Sequence, residues 1–167
     1  RHEAVTHVDL VDLDPGVTDL FATHPALRTL NHDSLNDPRV AVHNADAMRW
    51  LDRSHEPWDC ILIDLPDPSD PALGKLYSLE FYALAARHLA EGGVLACQAT
   101  SPFRSRAAFW CIARTLDATP LPGPGDATLT VAPYHVLVPT FGSWGFILAG
   151  ARLPDPGDLE LPPDNRY

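Results

Sequence analysis

WDCILIDLPDPSDPALGKLYSLEF, residues 58–81, carries the strongest structural signal in the chain. Its apolar segment 60–63 is flanked by Trp58 and closed by Asp64. It is too short for a helix and reads as a buried strand of a parallel sheet. Asp64, Asp67 and Asp70 follow at spacings of three, interleaved with Pro66, Pro68 and Pro71. Proline lacks the backbone donor and fixes φ, so the segment cannot continue as strand or helix. The acids therefore fall in a loop leaving the carboxyl end of a strand, where open α/β sheets hold their ligands. Carboxylates gathered there repel one another and attract cations.

On either side of this loop, strands and helices alternate. Residues 5–12 predict a strand, and Asp14-Pro15 an N-cap and first helical residue opening a helix to about residue 30. A polar turn at 31–38 leads to a strand at 39–44 and a short helical turn through Trp50 and Leu51. After the acidic loop, Leu79, Tyr82, Ala86 and Leu89 recur at helical period over 78–89. Glu91-Gly92-Gly93 is expected to stop that helix before a strand at 94–99. A helix at 103–116, a Pro/Gly loop at 119–126 and extended segments at 128–138 and 145–151 complete the order. The alternation predicts an α/β fold with a mostly parallel sheet, and the last two segments an antiparallel hairpin at one edge. We expect one domain over 1–152, followed by a Pro- and Asp-rich tail at 153–167 that only docking would order.

With 167 residues and 46% hydrophobic content, the chain has room for one proper core. No apolar run approaches the ~18–20 residues of a membrane span, and no secretory signal opens the chain. Twelve basic against twenty-two acidic residues give a net charge of −10. Nucleic-acid binding rests on basic patches and is not expected, whereas a cationic small molecule suits the charge. Cys60, Cys97 and Cys111 sit in apolar segments without metal-like spacing. They read as reduced, buried cysteines of a cytoplasmic protein. The chain opens on Arg1 and enters a strand almost at once, as a piece of a longer protein would.

Among single residues, Asp12 ends the first strand and has two readings, a ribose-binding acid or a solvated strand end. Asp14 reads as a helix cap. Asp46, just after the next strand, stands where an adenine amino group can be read. A Gly-rich turn would normally precede these acids, and no GxGxxG run exists in the chain. His43 and His135 read as core or edge histidines, since neither has a second ligand at metal spacing. Trp58, Trp110 and Trp144 read as packing groups, and Arg104 and Arg106 as a solvated helix start.

The segments VDLVDLDP (8–15), NAD (44–46), IDLPDPSDPA (63–72), LYSLEFY (76–82), GGVLACQ (92–98) and VPTFGSWGF (138–146) stand in the order seen in polyamine aminopropyltransferases. Over about residues 5–151 the chain resembles the catalytic domain of the spermidine synthase family. It is similar to the bacterial branch that carries a membrane-embedded region ahead of that domain. The resemblance implies a Rossmann-like, S-adenosylmethionine-dependent methyltransferase fold, here without its first strand and Gly-rich loop. It implies that Asp12 holds the ribose of decarboxylated S-adenosylmethionine, a co-substrate, and that Asp46 contacts the adenine. Asp64 matches the carboxylate that takes the proton from the attacking amine, and Asp67 the one that holds the diamine. Gln98 and Tyr77 fall near the substrate channel, and Tyr134, read on its own, could line the amine channel. Neither a metal nor a tightly bound cofactor is implied. The implied partner is a polyamine such as putrescine, and a homodimer is expected. The expected location is cytoplasmic, or the cytoplasmic face of the inner membrane for the full-length protein, with membrane contact only through a region outside this chain.

This assignment makes chemical sense. An alkylammonium has a pKa near ~10 and must lose a proton before it attacks carbon. A carboxylate within hydrogen-bond reach can take that proton. Two departures from the family pattern bear on the acceptor. Leu65-Pro66 stands where the family has two serines, and Phe141 where it has a tyrosine. The rival readings are a methyltransferase using S-adenosylmethionine itself and a non-catalytic polyamine-binding or scaffold domain. With half the cofactor pocket outside it, the chain by itself is expected to be inactive.

Overall fold

Strand β1 (Val8–Asp12) runs parallel to β2 (Val40–Asn44), with Val8 opposite Val40 and Asp12 opposite Asn44. They belong to the first of two compact units, Arg1–Ser54 and His55–Tyr167. The structure is a computed structural model that describes residues 4–68, 70–140, 142–155 and 157.

In the first unit, Asp14 caps helix α1 (Pro15–Thr23) by accepting the Gly16 N–H at 2.8 Å, with Pro15 at the first helical position. The expected single helix to residue 30 is instead two, α1 and α2 (Pro25–Leu30). Pro25 explains the break: it forces His24 into extended geometry (φ −71°, ψ 123°), and its fixed φ then starts the second helix. A one-turn 3₁₀ segment (Ser34–Asn36) leads to β2, and α3 (Ala47–Arg53) follows it. Only Thr18 and Leu51 are buried among the described residues of this unit.

Its turn after α2 is held by charge. Asp33 adopts a left-handed φ of 61°, which aspartate tolerates better than most residues. Arg28 grips its carboxylate with two bonds, Nε to Oδ1 at 2.7 Å and Nη2 to Oδ2 at 2.6 Å. Those bonds first, then one from Asn36, lower the Asp33 carboxyl from the ordinary 3.8 to about 2. A carboxyl-carbon NMR titration of Asp33 is expected to have its midpoint near that value. Because the folded pKa is depressed, the pair favours the folded unit above about pH 4. That contribution is lost as pH falls through about 2. Both side chains are partly exposed to solvent, so salt weakens the pair.

The second unit holds the main core. Strands β3 (Trp58–Ile63), β4 (Leu89–Gln98), β5 (Thr130–Val138) and β6 (Gly142–Gly150) lie in the order β3-β4-β6-β5. β3 and β4 are parallel, whereas β6 pairs antiparallel with both β4 and β5. This is the expected α/β class with an antiparallel hairpin at one edge. Between β3 and β4 come α4 (Pro71–Gly74), a 3₁₀ turn (Lys75–Tyr77) and α5 (Leu79–Ala86). Helix α6 (Arg106–Asp117) buries Phe109, Ile112, Ala113 and Leu116, the i, i+3, i+4, i+7 stripe of an amphipathic helix. Tyr82, Leu95, Leu116 and Ile147 are fully buried with it. No helix among the described residues is long and apolar enough to cross a membrane.

Three expectations need correction here. Glu91-Gly92-Gly93 does not end a helix; it lies inside β4. Leu89 already pairs with Trp58, and the ladder resumes at Cys60 opposite Val94 after an irregularity that Gly92 accommodates with φ 75°. β3 is not a buried strand, since only Ile63 is buried and Leu62 is 75% exposed. It is an edge strand of its sheet, and the face carrying Cys60 and Leu62 is open. Of the cysteines, Cys97 is buried, while Cys60 and Cys111 are exposed. Cys60 lies on that open face, and Cys111 lies off the apolar stripe of α6.

Candidate active site

The acidic loop leaves the carboxyl end of β3, as its prolines require. Ile63 is opposite Cys97 in the parallel ladder, so Asp64 and Gln98 are the next residues along two adjacent strands. The carboxyl ends of a parallel pair thus present an acid and an amide side by side.

The three loop carboxylates differ in what they do. Asp70 caps α4, accepting the Leu73 N–H at 2.9 Å. Asp67 accepts from Gln98, Nε2 to Oδ1 at 3.0 Å. Asp64 is exposed, and no hydrogen bond to its side chain is present among the described residues. Its charge is nonetheless felt inside the unit. Burial, opposed by a hydrogen bond with Tyr82 and aided by Asp64, pushes the Cys97 thiol up to about 11.

Gln98 is only 8% exposed, and the orientation of its amide is fixed. The Thr100 N–H donates to Oε1 at 2.8 Å, so Nε2 must face Asp67. Thr100 has φ 59°, a left-handed conformation that a β-branched residue rarely adopts. Tyr77 is 7% exposed, and its hydroxyl donates to the carbonyls of Leu65 and Pro66, each at 3.1 Å. Burial first, then electrostatic interaction with Cys97, Asp67 and Asp64, raises its phenol well above the ordinary value. It is therefore a donor at neutral pH.

Sheet register extends the site sideways. Gln98 is opposite Phe146, and Phe146 is opposite Tyr134, which places the three in one row on one face. The Tyr134 and Phe146 rings stack at 5.5 Å and 22°. Trp144, two residues from Phe146 and opposite Val136, shares that face. Phe146 was missed in the sequence: only the register of the β5–β6 hairpin sets it between Gln98 and Tyr134. The expectation for Phe141 falls on a position outside the described residues.

In the first unit, Asp12 and Asp46 also stand at the carboxyl end of a parallel pair. Asp12 closes β1 and accepts the Asp14 N–H at 2.8 Å. Asp46 follows β2 and caps α3, accepting the Arg49 N–H at 2.9 Å. Each uses Oδ1 for this, and Oδ2 carries no bond among the described residues. Both acids are thus rigidly aimed and retain an acceptor oxygen, the equipment needed to hold hydroxyl or amino donors.

The histidines have local partners. His43 meets Asp9, Nε2 to Oδ1 at 2.7 Å, and packs on Trp50. His135, exposed on the edge strand, meets Ser143 and the ring of Phe103. Among the described residues no three His, Cys, Asp or Glu side chains converge as a metal site. Trp110 is 45% exposed, and its ring meets that of Phe109 edge-on at 5.2 Å.

A family model described as the spermine/spermidine synthase domain matches residues 1–152. The chain is 44% identical over 167 residues to polyamine aminopropyltransferase 2 of Ralstonia nicotianae, covering all of this chain and 30% of the relative. It is 46% identical over 152 residues to the polyamine aminopropyltransferase of Leptospira interrogans, covering 91% of this chain and 29% of the relative. The chain therefore spans about 30% of the length of the curated relatives it matches. A crystal structure of spermidine synthase in complex with the transition-state analogue AdoDATO superposes with a TM-score of 0.78 at 22% identity, covering 95% of this chain and 51% of that one. An O-methyltransferase of Klebsiella pneumoniae gives a TM-score of 0.53 at 16% identity over 86% of this chain and 61% of that one. These two likenesses establish the fold, which spermidine synthase shares with methyltransferases.

Proposed function

The chain belongs to the spermine/spermidine synthase family, and on that premise we propose that the protein carrying it is an aminopropyltransferase. It moves the aminopropyl group of decarboxylated S-adenosylmethionine to a diamine such as putrescine. The observation that supports this most is the pairing of Asp64 and Asp67 on one loop, the first exposed, the second oriented by Gln98.

In this reading Asp12 and Asp46 hold the ribose and adenine of the donor. Asp67 receives the distal ammonium of the diamine, with Gln98, Tyr77 and Tyr134 on the amine side of the site. Asp64 receives the proton of the attacking nitrogen. A carbon–nitrogen bond forms at the methylene beside the sulfonium while the carbon–sulfur bond breaks. The electron pair goes to sulfur, which leaves as a neutral thioether, and the nitrogen's proton passes to Asp64 and then to water. Holding nitrogen, carbon and sulfur in line contributes much of the acceleration. The acidic loop favours a cationic acceptor before any contact is made.

The same reading takes the assembly to be a homodimer working in the cytoplasm, with any membrane contact supplied by other parts of the intact protein. The experiment that tests the function supplies the intact protein with decarboxylated S-adenosylmethionine and a panel of diamines, and follows thioether release. Transfer to one of them is expected. Methyl transfer from S-adenosylmethionine in its place, or polyamine binding without turnover, would replace this reading with one of its rivals.

A further inference from the structure

The acidic loop is bonded by side chains from outside it. Pro66 and Pro68 have no N–H, which takes two backbone donors from the turn. The donors come from two side chains outside it. Tyr77 bridges the carbonyls of Leu65 and Pro66, the two residues that separate Asp64 from Asp67. Gln98 bonds Asp67 itself and reaches the Leu65 carbonyl at 3.4 Å.

We propose that Tyr77 is a positioning residue of the amine site, whose hydroxyl clasps the Leu65-Pro66 backbone and, with Gln98, sets the separation and direction of the Asp64 and Asp67 carboxylates. The proposal rests on the aminopropyl-transfer reading and deepens it, because it moves Tyr77 from the substrate's side of the loop to its support. The phenol has one proton, and that proton is shared between two carbonyls. Tyr77 ends the 3₁₀ turn that leads into α5, and it is buried, as are Phe81 and Tyr82 of that helix. Gln98 is equally committed: Thr100 occupies Oε1, and the loop takes Nε2. The turn at Thr100 that aims it is itself pinned, since the Thr100 carbonyl accepts the Gly145 N–H at 2.7 Å. A strained φ persists where its surroundings over-determine it, and here they do.

The test is Tyr77→Phe in the intact protein, a change that keeps the ring and removes only the clasp. Losing the hydroxyl takes this donor from the Pro66 carbonyl and leaves the Leu65 carbonyl with only the long bond from Gln98, and is expected to raise the KM for the diamine about 3–10-fold. The KM for the sulfonium donor should stay within about twofold, because the clasp touches only the amine loop. An unchanged diamine KM, or a kcat loss shared by both substrates with a matching drop in thermal midpoint, overturns the proposal in favour of a purely structural tyrosine. The wild-type assay separates this from the functional reading, since a wild type without transfer sinks that reading by itself. The clasp is then read from crystal structures of both proteins. Displacement of the loop between Asp64 and Asp67 in the variant supports it, and an unmoved loop overturns it.

Discussion

Asp64→Asn in the intact protein is expected to lower aminopropyl transfer at neutral pH by about 10²–10⁴-fold, the range a positioned general base supplies. The substitution keeps the shape of the side chain and removes its charge and its capacity to take a proton. Asp64 makes no hydrogen bond among the described residues, so little of the fold depends on it. Raising the pH distinguishes the proton-taking role from others. The acceptor's ammonium has a pKa near ~10, so its free-base fraction grows roughly 100-fold between about pH 7 and pH 9. A variant lacking only the base should recover much of its deficit over that interval, while the wild type gains less. A variant as inactive at high pH as at neutral pH would show that Asp64 does something other than accept a proton. Full activity in the variant would remove it from the mechanism altogether.

Gly145→Ala is expected to destabilise the second unit by about 3 kcal/mol, at the upper end of what overpacking a core costs. A Cβ built at Gly145 would lie 2.8 Å from the Thr100 carbonyl oxygen and would collide with the Phe109 ring. Neither neighbour can yield. Phe109 is 3% exposed on the buried stripe of α6, and the Thr100 carbonyl is bonded to the N–H of Gly145 itself. The Gly145 carbonyl in turn accepts from Ala99, so the backbone here is fixed from both sides. In thermal unfolding the midpoint should drop by about 6–12 °C. Gly74→Ala is the control: its added Cβ meets nothing within 4 Å, and its φ is −56°. That change should be neutral or slightly stabilising. If both variants melt like the wild type, the close approach of β6 to the end of β4 is wrong. Since Gln98 lies at that junction, any Gly145→Ala protein that does fold should also hold the diamine less well.

Local chemistry was legible residue by residue. Asp14-Pro15 opened a helix with the cap it predicts, because both the side-chain acceptor and the fixed φ act within one turn. Pro25 carries an equally plain signal against one helix to residue 30, and the chain breaks there. The acidic loop is legible as a loop for the same reason, proline's missing donor. Misreadings came where a residue's role depends on what lies across space. Cys60 looked buried from its apolar neighbours, yet β3 is an edge strand and that face is open. Glu91-Gly92-Gly93 looked like a helix stop, yet Leu89 had already begun to pair with Trp58.

By itself, then, the sequence determined the alternation of strands and helices, the proline-bracketed loop and the motifs that place the chain in its family. All of these are written in short windows by backbone sterics and hydrophobic period. Only the tertiary structure decided how the carboxylates are employed: Asp70 on a helix cap, Asp67 on an amide, Asp64 without a bond among the described residues. It also decided that the Tyr77 hydroxyl faces the loop backbone and that Phe146 joins Gln98 to Tyr134. Those outcomes join residues far apart in the chain, from Leu65 with Tyr77 to Gln98 with Phe146. A hydrogen bond or a sheet register exists only once packing has brought its two halves within about 3–5 Å.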